Sequence, residues 1–153
     1  MQLQGNQVLD AVPSTVWRML MDPVILAKVV PGISSLEKLS ENSFKSTLNI
    51  KIGPISGNFS GNLQLDEIVD QESFLLKAQQ NSKIGNANAS ISITLAPVDE
   101  KQTGIKFDGE VKLSGMMATM GQRVIGGVAN TLTKQFFANL EKELAVLKGD
   151  DKL

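Results

Sequence analysis

Residues 114–149 read "SGMMATMGQRVIGGVANTLTKQFFANLEKELAVLKG", and one apolar stripe runs through nearly all of them. Met117, Met120, Val124, Val128, Leu132, Phe136, Leu140, Leu144 and Leu147 recur every three or four residues. That is the period of a helix with one buried face. Ser114 suits the N-cap and Gly149 the C-terminal stop. A helix over 115–147 is roughly 50 Å long. It must either dominate the fold or kink, and Gly121, Gly126 and Gly127 are where it would bend. A buried stripe of that length needs a partner of matching length, and this requirement governs the rest of the chain.

The partner is legible upstream. Phe44, Leu48, Ile50 and Ile52 share one parity of residues 43–52, and Ile55, Phe59, Leu63 and Leu65 one parity of 55–69. Phe74, Leu76 and Ala78 follow in 73–82, then Ala87, Ala89, Ile91, Ile93 and Leu95 in 87–96. Ile105, Phe107, Val111 and Leu113 close the series. Gly53-Pro54, Asp70-Gln71 and Ile84-Gly85-Asn86 supply the turns. Residues 2–10 add a first strand and 34–39 a weak one. Such alternation means an antiparallel sheet with one wet face and one dry face. Two short helices fit after the first strand. Pro13 opens one, Asp22-Pro23 divides the pair, and Pro31-Gly32 closes the second. The expected class is therefore α+β: a curved antiparallel sheet of six to seven strands wrapped around one long C-terminal helix. Without repeats or linkers, residues 1–153 read as a single domain.

The dry face is thin in places. Gly57, Gly61, Ala78, Ala87, Ala89 and Gly109 fall on the inward parity, among larger residues. Small inward residues either let backbones approach and the sheet bend, or leave space. Several on neighbouring strands favour a cavity, as does the pliable first half of the helix with Met116, Met117 and Met120. The second half, with Leu132, Phe136, Phe137, Leu140 and Leu144, reads as packed core. The expectation is an apolar pocket lined by Leu26, Val30, Leu48, Ile50, Phe59, Ala78, Ala89, Ile91, Phe107, Val111, Met116, Met117, Met120 and Val124. Arg123 is the charge at its polar rim. A mobile rim is expected at Val24–Val30, with Leu26, Val29 and Val30 facing the opening, and at Ile84-Gly85-Asn86.

Composition removes most chemistries. The chain has no Cys, His or Tyr, so thiol and histidine nucleophiles, histidine general bases and phenolic acids are excluded. Its carboxylates fall at turns, on outward strand positions or on the polar side of the last helix. Inward polar candidates are few: Ser46, Gln80 and Gln7. Fifteen basic and sixteen acidic residues give a net charge of −1, which argues against nucleic acid. No metal site and no covalently bound cofactor is expected. The N-terminus lacks a signal-peptide pattern, and no apolar run reaches membrane-spanning length. A soluble cytoplasmic protein is the default.

The order of elements resembles the helix-grip fold of the START-like (SRPBCC) superfamily. Three stretches narrow it: "VWRMLMDPVILAKVVPG", "IGPISGNFSGNLQL" and "GQRVIGGVANTLTKQFFANLEKEL". Together they resemble the carbon monoxide dehydrogenase G-subunit family over nearly the whole chain. Trp17, Pro31 and Gly32 match the helix-pair motif, and Gly53, Pro54, Gly57, Phe59 and Gly61 the strand motif. Gly121, Arg123, Phe136 and Phe137 match the long-helix motif. The resemblance implies a non-catalytic accessory protein of a molybdenum-containing dehydrogenase. It further implies an apolar ligand such as a quinone or lipid under the long helix, molybdenum hydroxylase subunits as partners, and a link to the inner face of the cell membrane. Many members carry a further C-terminal tail suited to anchoring, whereas this sequence ends at Leu153 after "KGDDKL". The alternatives are a docking or assembly factor without ligand and a START-like enzyme.

Overall fold

The computed structural model describes residues 1–151, with side chains as far as Gly149; Lys152 and Leu153, the end of "KGDDKL", lie outside the described residues. Strand β1 (Gln2–Leu9) leads into α1 (Pro13–Met21) and α2 (Pro23–Val29). Six strands follow: β2 (Ile33–Ser40), β3 (Ser43–Ile52), β4 (Ile55–Val69), β5 (Ser73–Ser82), β6 (Gly85–Pro97) and β7 (Thr103–Leu113). A 3₁₀ turn (Gly115–Thr119) precedes α3 (Gln122–Asp151).

Local chemistry sets the helix boundaries. Pro13 stands at the start of α1, where its missing N–H costs nothing. Asp22 ends α1 and caps α2, its Oδ1 accepting from the Val24 N–H at 2.9 Å. Gly32 then takes φ +74°, and an added Cβ would stand 2.3 Å from the Asn49 carbonyl oxygen. No other residue turns the chain from α2 into β2 without displacing β3.

The seven strands form one antiparallel sheet in the order β1-β7-β6-β5-β4-β3-β2. Glycine bends it at specific places. A Cβ on Gly61 would fall 1.7 Å from the Gln79 carbonyl oxygen, and one on Gly109 2.2 Å from that of Ser90. At both positions a neighbouring strand occupies the space a side chain needs, which is how the sheet curls around α3. Gly57 differs: it has φ +149° and a Cβ there would meet nothing within 4 Å.

The long helix begins later than its sequence pattern implies. Residues 115–119 form a 3₁₀ turn, and Gly121 takes φ +84°, so α3 starts at Gln122 and not at 115. Ser114 makes no side-chain cap; its Oγ instead accepts from the Asn86 N–H at 3.3 Å. Gly149 stays helical, and α3 continues to Asp151, a span of 30 residues and about 45 Å. Within α3 a row of residues spaced by four drifts about 40° around the axis at each step, so Ile125, not Val124, shares the sheet-facing side with Val128, Leu132, Phe136, Phe137, Leu140 and Leu144.

The buried side chains form two clusters. The larger joins α1, the far end of α3 and the sheet through Trp17, Met19, Phe44, Phe74, Phe137 and Leu140. Trp17 meets Phe74 edge-on at 5.7 Å between ring centroids. The smaller holds Ile50, Ile55, Phe59, Met117 and Ile125. Helix α2 is pinned to α3 at two points. Asn139 Nδ2 donates to the Val29 carbonyl at 3.1 Å, and Lys28 pairs with Glu143 at 3.9 Å.

Candidate functional site: a two-chambered apolar cavity

The two clusters do not merge, and the space between sheet and helix is divided into two chambers. The smaller, about 260 Å³, lies beside Ile55, Phe59, Met117, Ile125 and Val128. The larger, about 360 Å³, lies beside Leu20, Val30, Pro31, Ile93, Ile105, Phe136 and Phe137. Leu3, Leu48, Ile50, Leu132 and Thr133 line both. Each chamber alone sits at or just below the low end of the size range of small-molecule sites. A groove of about 480 Å³ between edge strand β1 and α3 shares Met1, Leu3, Ala129 and Thr133 with the smaller chamber. Gly126 lines that groove, where an added Cβ would meet nothing within 4 Å.

No Asp, Glu, Lys or Arg side chain lines either chamber. Two polar side chains do. Thr133 sits where the chambers meet, and its Oγ1 is satisfied by the Ala129 carbonyl one turn back, at 2.8 Å. Gln80 is the other. Its Nε2 donates to Ser46 Oγ at 2.9 Å, and both residues are more than nine-tenths buried. Its Oε1 has no hydrogen-bond partner.

Of the residues expected at the pocket, Val30, Leu48, Ile50, Phe59, Ile91, Phe107, Val111 and Met117 line the chambers. Six do not. Leu26 packs into the larger cluster from α2, beside the fully buried Val29. Ala78 and Ala89 fall between the chambers. On their strands Leu76 and Ile91 reach the larger one, Gln80 and Ala87 reach the smaller, and the short methyls between reach neither. Both alanines border a shallow polar groove beside Asn62, Gln64, Gln79 and Asn88 instead. Met116 and Val124 are exposed, at 59 % and 40 %: Met116 lies on the 3₁₀ turn, and Val124 lies off the face of α3 on which Ile125 is buried. Met120 packs on the smaller cluster without lining the chamber. The rim residue Arg123 is exposed for the same reason as Val124 and lines neither chamber.

The sequence pattern missed Leu3, Ile55, Leu113, Ile125, Leu132 and Thr133 in the walls. It also assigned Phe136 and Phe137 to solid core, whereas they wall the larger chamber. Phe107 and Phe137 stack there at 5.9 Å, and the Phe107 ring lies over Gly5 on β1. A Cβ on Gly5 would come within 2.5 Å of Phe107 Cζ. The glycine thus makes room for the ring rather than for a ligand.

A single long helix held by a curved antiparallel sheet, with an apolar cavity between them, defines a START-like helix-grip protein. Comparison with known proteins agrees and goes further. The model of the carbon monoxide dehydrogenase G-subunit (CoxG) family matches residues 5–145, so the chain belongs to that family. Among solved structures, a conserved protein from Geobacillus kaustophilus is 31% identical, with a TM-score of 0.92 and 95% of each chain covered. A START superfamily protein from Mycobacterium smegmatis shares the fold at 10% identity and a TM-score of 0.78, covering 95% of this chain and 98% of its own. The Zhui aromatase/cyclase from Streptomyces sp. R1128 shares it at 12% identity and a TM-score of 0.67, covering 94% and 92%. No curated protein sequence matches the chain.

Proposed function

We propose that this protein is a non-catalytic carrier of an apolar molecule such as a quinone or lipid, held between the sheet and α3. The observation that carries the proposal is the pair of adjoining chambers without an ionisable side chain. A general acid or base needs a titratable group within hydrogen-bond reach of the reacting atom. Among the described residues the chamber walls supply no titratable side chain, which weighs against the enzymatic reading that the aromatase/cyclase neighbour would otherwise encourage. Apolar walls stabilise an apolar guest by about 25 cal/mol per Å² removed from water.

Membership of the family supports the partner. The protein serves a molybdenum-containing dehydrogenase of the carbon monoxide dehydrogenase type, as an accessory protein contacting its subunits. In this reading it works in the cytoplasm and touches the inner face of the membrane peripherally. No helix among the described residues is long and apolar enough to cross a membrane.

The test is native mass spectrometry of protein purified without detergent, with release and identification of bound molecules. A quinone or lipid in stoichiometric amount is expected. An empty protein that also refuses added quinone and lipid would overturn the carrier reading. It would leave a docking or assembly factor defined by its protein partner.

A further inference from the structure

Ser46, Gly61 and Gln80 lie side by side on β3, β4 and β5, paired Ser46↔Gly61 and Gly61↔Gln80. Directly paired residues project from the same face of a sheet, so the row presents a hydroxyl, a gap and an amide. The gap is enforced, because a Cβ at Gly61 would collide with the Gln79 carbonyl oxygen. The Gln80 side chain crosses it and reaches Ser46 Oγ at 2.9 Å. This spends one end of the amide. The other end, Oε1, is buried without a partner and covered by its neighbours, on a residue 8 % exposed that lines the smaller chamber, so a ligand meets it once the side chain swings toward the cavity. A buried acceptor left unsatisfied is costly, and a donor that meets it recovers that cost.

Resting on the carrier reading above, we infer that Gln80 selects the ligand: it takes a molecule whose apolar body bears one hydroxyl, and seats that hydroxyl at Gln80 Oε1 in the smaller chamber. The rest of the apolar body extends past Leu48, Ile50 and Leu132 into the larger chamber. The Ser46 hydroxyl can either accept or donate. The amide can therefore turn over, so that Oε1 accepts from Ser46 and Nε2 faces the chamber. In that arrangement the same point takes a carbonyl or ether oxygen. In the arrangement the structure shows, Ser46 Oγ accepts from Nε2 and leaves Oε1 to the ligand, so Ser46 is a positioning residue.

Three fluorescent probes of nearly equal shape test this: 2-naphthol (donor), 2-methoxynaphthalene (acceptor only) and naphthalene (neither). Dissociation constants are measured for wild type, Gln80→Met and Ser46→Ala, with thermal unfolding as the folding control. Comparing the naphthol-to-ether ratio between variants cancels the hydration of the probes. Wild type is expected to favour naphthol, and Gln80→Met to reduce that ratio about tenfold. Ser46→Ala frees both ends of the amide and should improve binding of the ether. It also keeps the test decisive where Gln80→Met fails to fold. A ratio unchanged in both variants would overturn the assignment while leaving the carrier reading intact. Failure of all three probes to bind wild type would overturn both.

Discussion

Leu132 and Leu140 lie on the same stripe of α3, and truncating each to alanine separates packed core from cavity wall. Leu140 is fully buried in the larger cluster. Leu→Ala at a close-packed site loses the transfer free energy of the methylenes and opens a void, together about 3–5 kcal/mol. We expect about 4 kcal/mol for Leu140→Ala. Leu132 already borders chambers of about 260 and 360 Å³. Its chamber-facing surfaces have few dispersion contacts to lose. The expected cost of Leu132→Ala in ligand-free protein is therefore about 1.5 kcal/mol. Both substitutions replace leucine by alanine inside one helix, so the propensity difference cancels. Urea unfolding of both variants, read by far-UV circular dichroism and by Trp17 fluorescence, gives the two costs. A second arm adds ligand at a hundred times its dissociation constant, which stabilises wild type by about 2.7 kcal/mol. Leu132→Ala should lose part of that increment and Leu140→Ala should keep it. Equal costs without ligand would refute the reasoning, because they would mean that Leu132 is surrounded by side chains on every side.

Three further comparisons probe other parts of the structure, and a fourth the cavity. Gly127→Ala should raise stability by about 1 kcal/mol, since a Cβ there meets open space in a helix interior, and scanning calorimetry should record a rise of about 2–4 °C. Gly61→Ala should cost about 3 kcal/mol or more, because β4 and β5 must separate to admit the methyl; failure to see a loss would mean the strands are not that close. Asn139→Ala should cost about 1–2 kcal/mol by leaving the Val29 carbonyl unpaired, whereas Lys28→Ala, across a pair of 3.9 Å whose lysine is half exposed, should cost under about 0.5 kcal/mol and lose its effect at high salt. Met117→Glu should abolish uptake of an apolar fluorescent probe, while Met116→Glu, at an exposed neighbour, should leave it unchanged within about twofold.

The fold was legible because its two signals are periodic. Strict alternation placed every strand to within about two residues, and the three-four stripe announced α3. What periodicity does not carry is a change of phase. The stripe continues across Gly121 as though the helix were unbroken, yet a positive φ there separates the 3₁₀ turn from α3, and along α3 the row spaced by four drifts until Ile125 and not Val124 is the buried residue. The cavity was legible for residues whose neighbours are small. It was illegible beside Phe136 and Phe137, because large side chains wall a space as readily as they fill one, and a sequence does not distinguish the two. Ser46 and Gln80 stood out as polar residues on an apolar face. Their contact across Gly61 depends on register between three strands, which alternation within one strand leaves open.

The divided core also has a volumetric meaning. Unfolding eliminates internal void, so proteins with large cavities shrink more when they unfold and are more readily unfolded by pressure. Where water is kept out of the two chambers, a fold of this kind would be the more compressible when empty and the stiffer when filled. Cargo would then act as a mechanical component of the protein. The loaded and unloaded forms would differ in compressibility and heat capacity even with every strand in the same place, and a partner able to sense that stiffness could tell them apart.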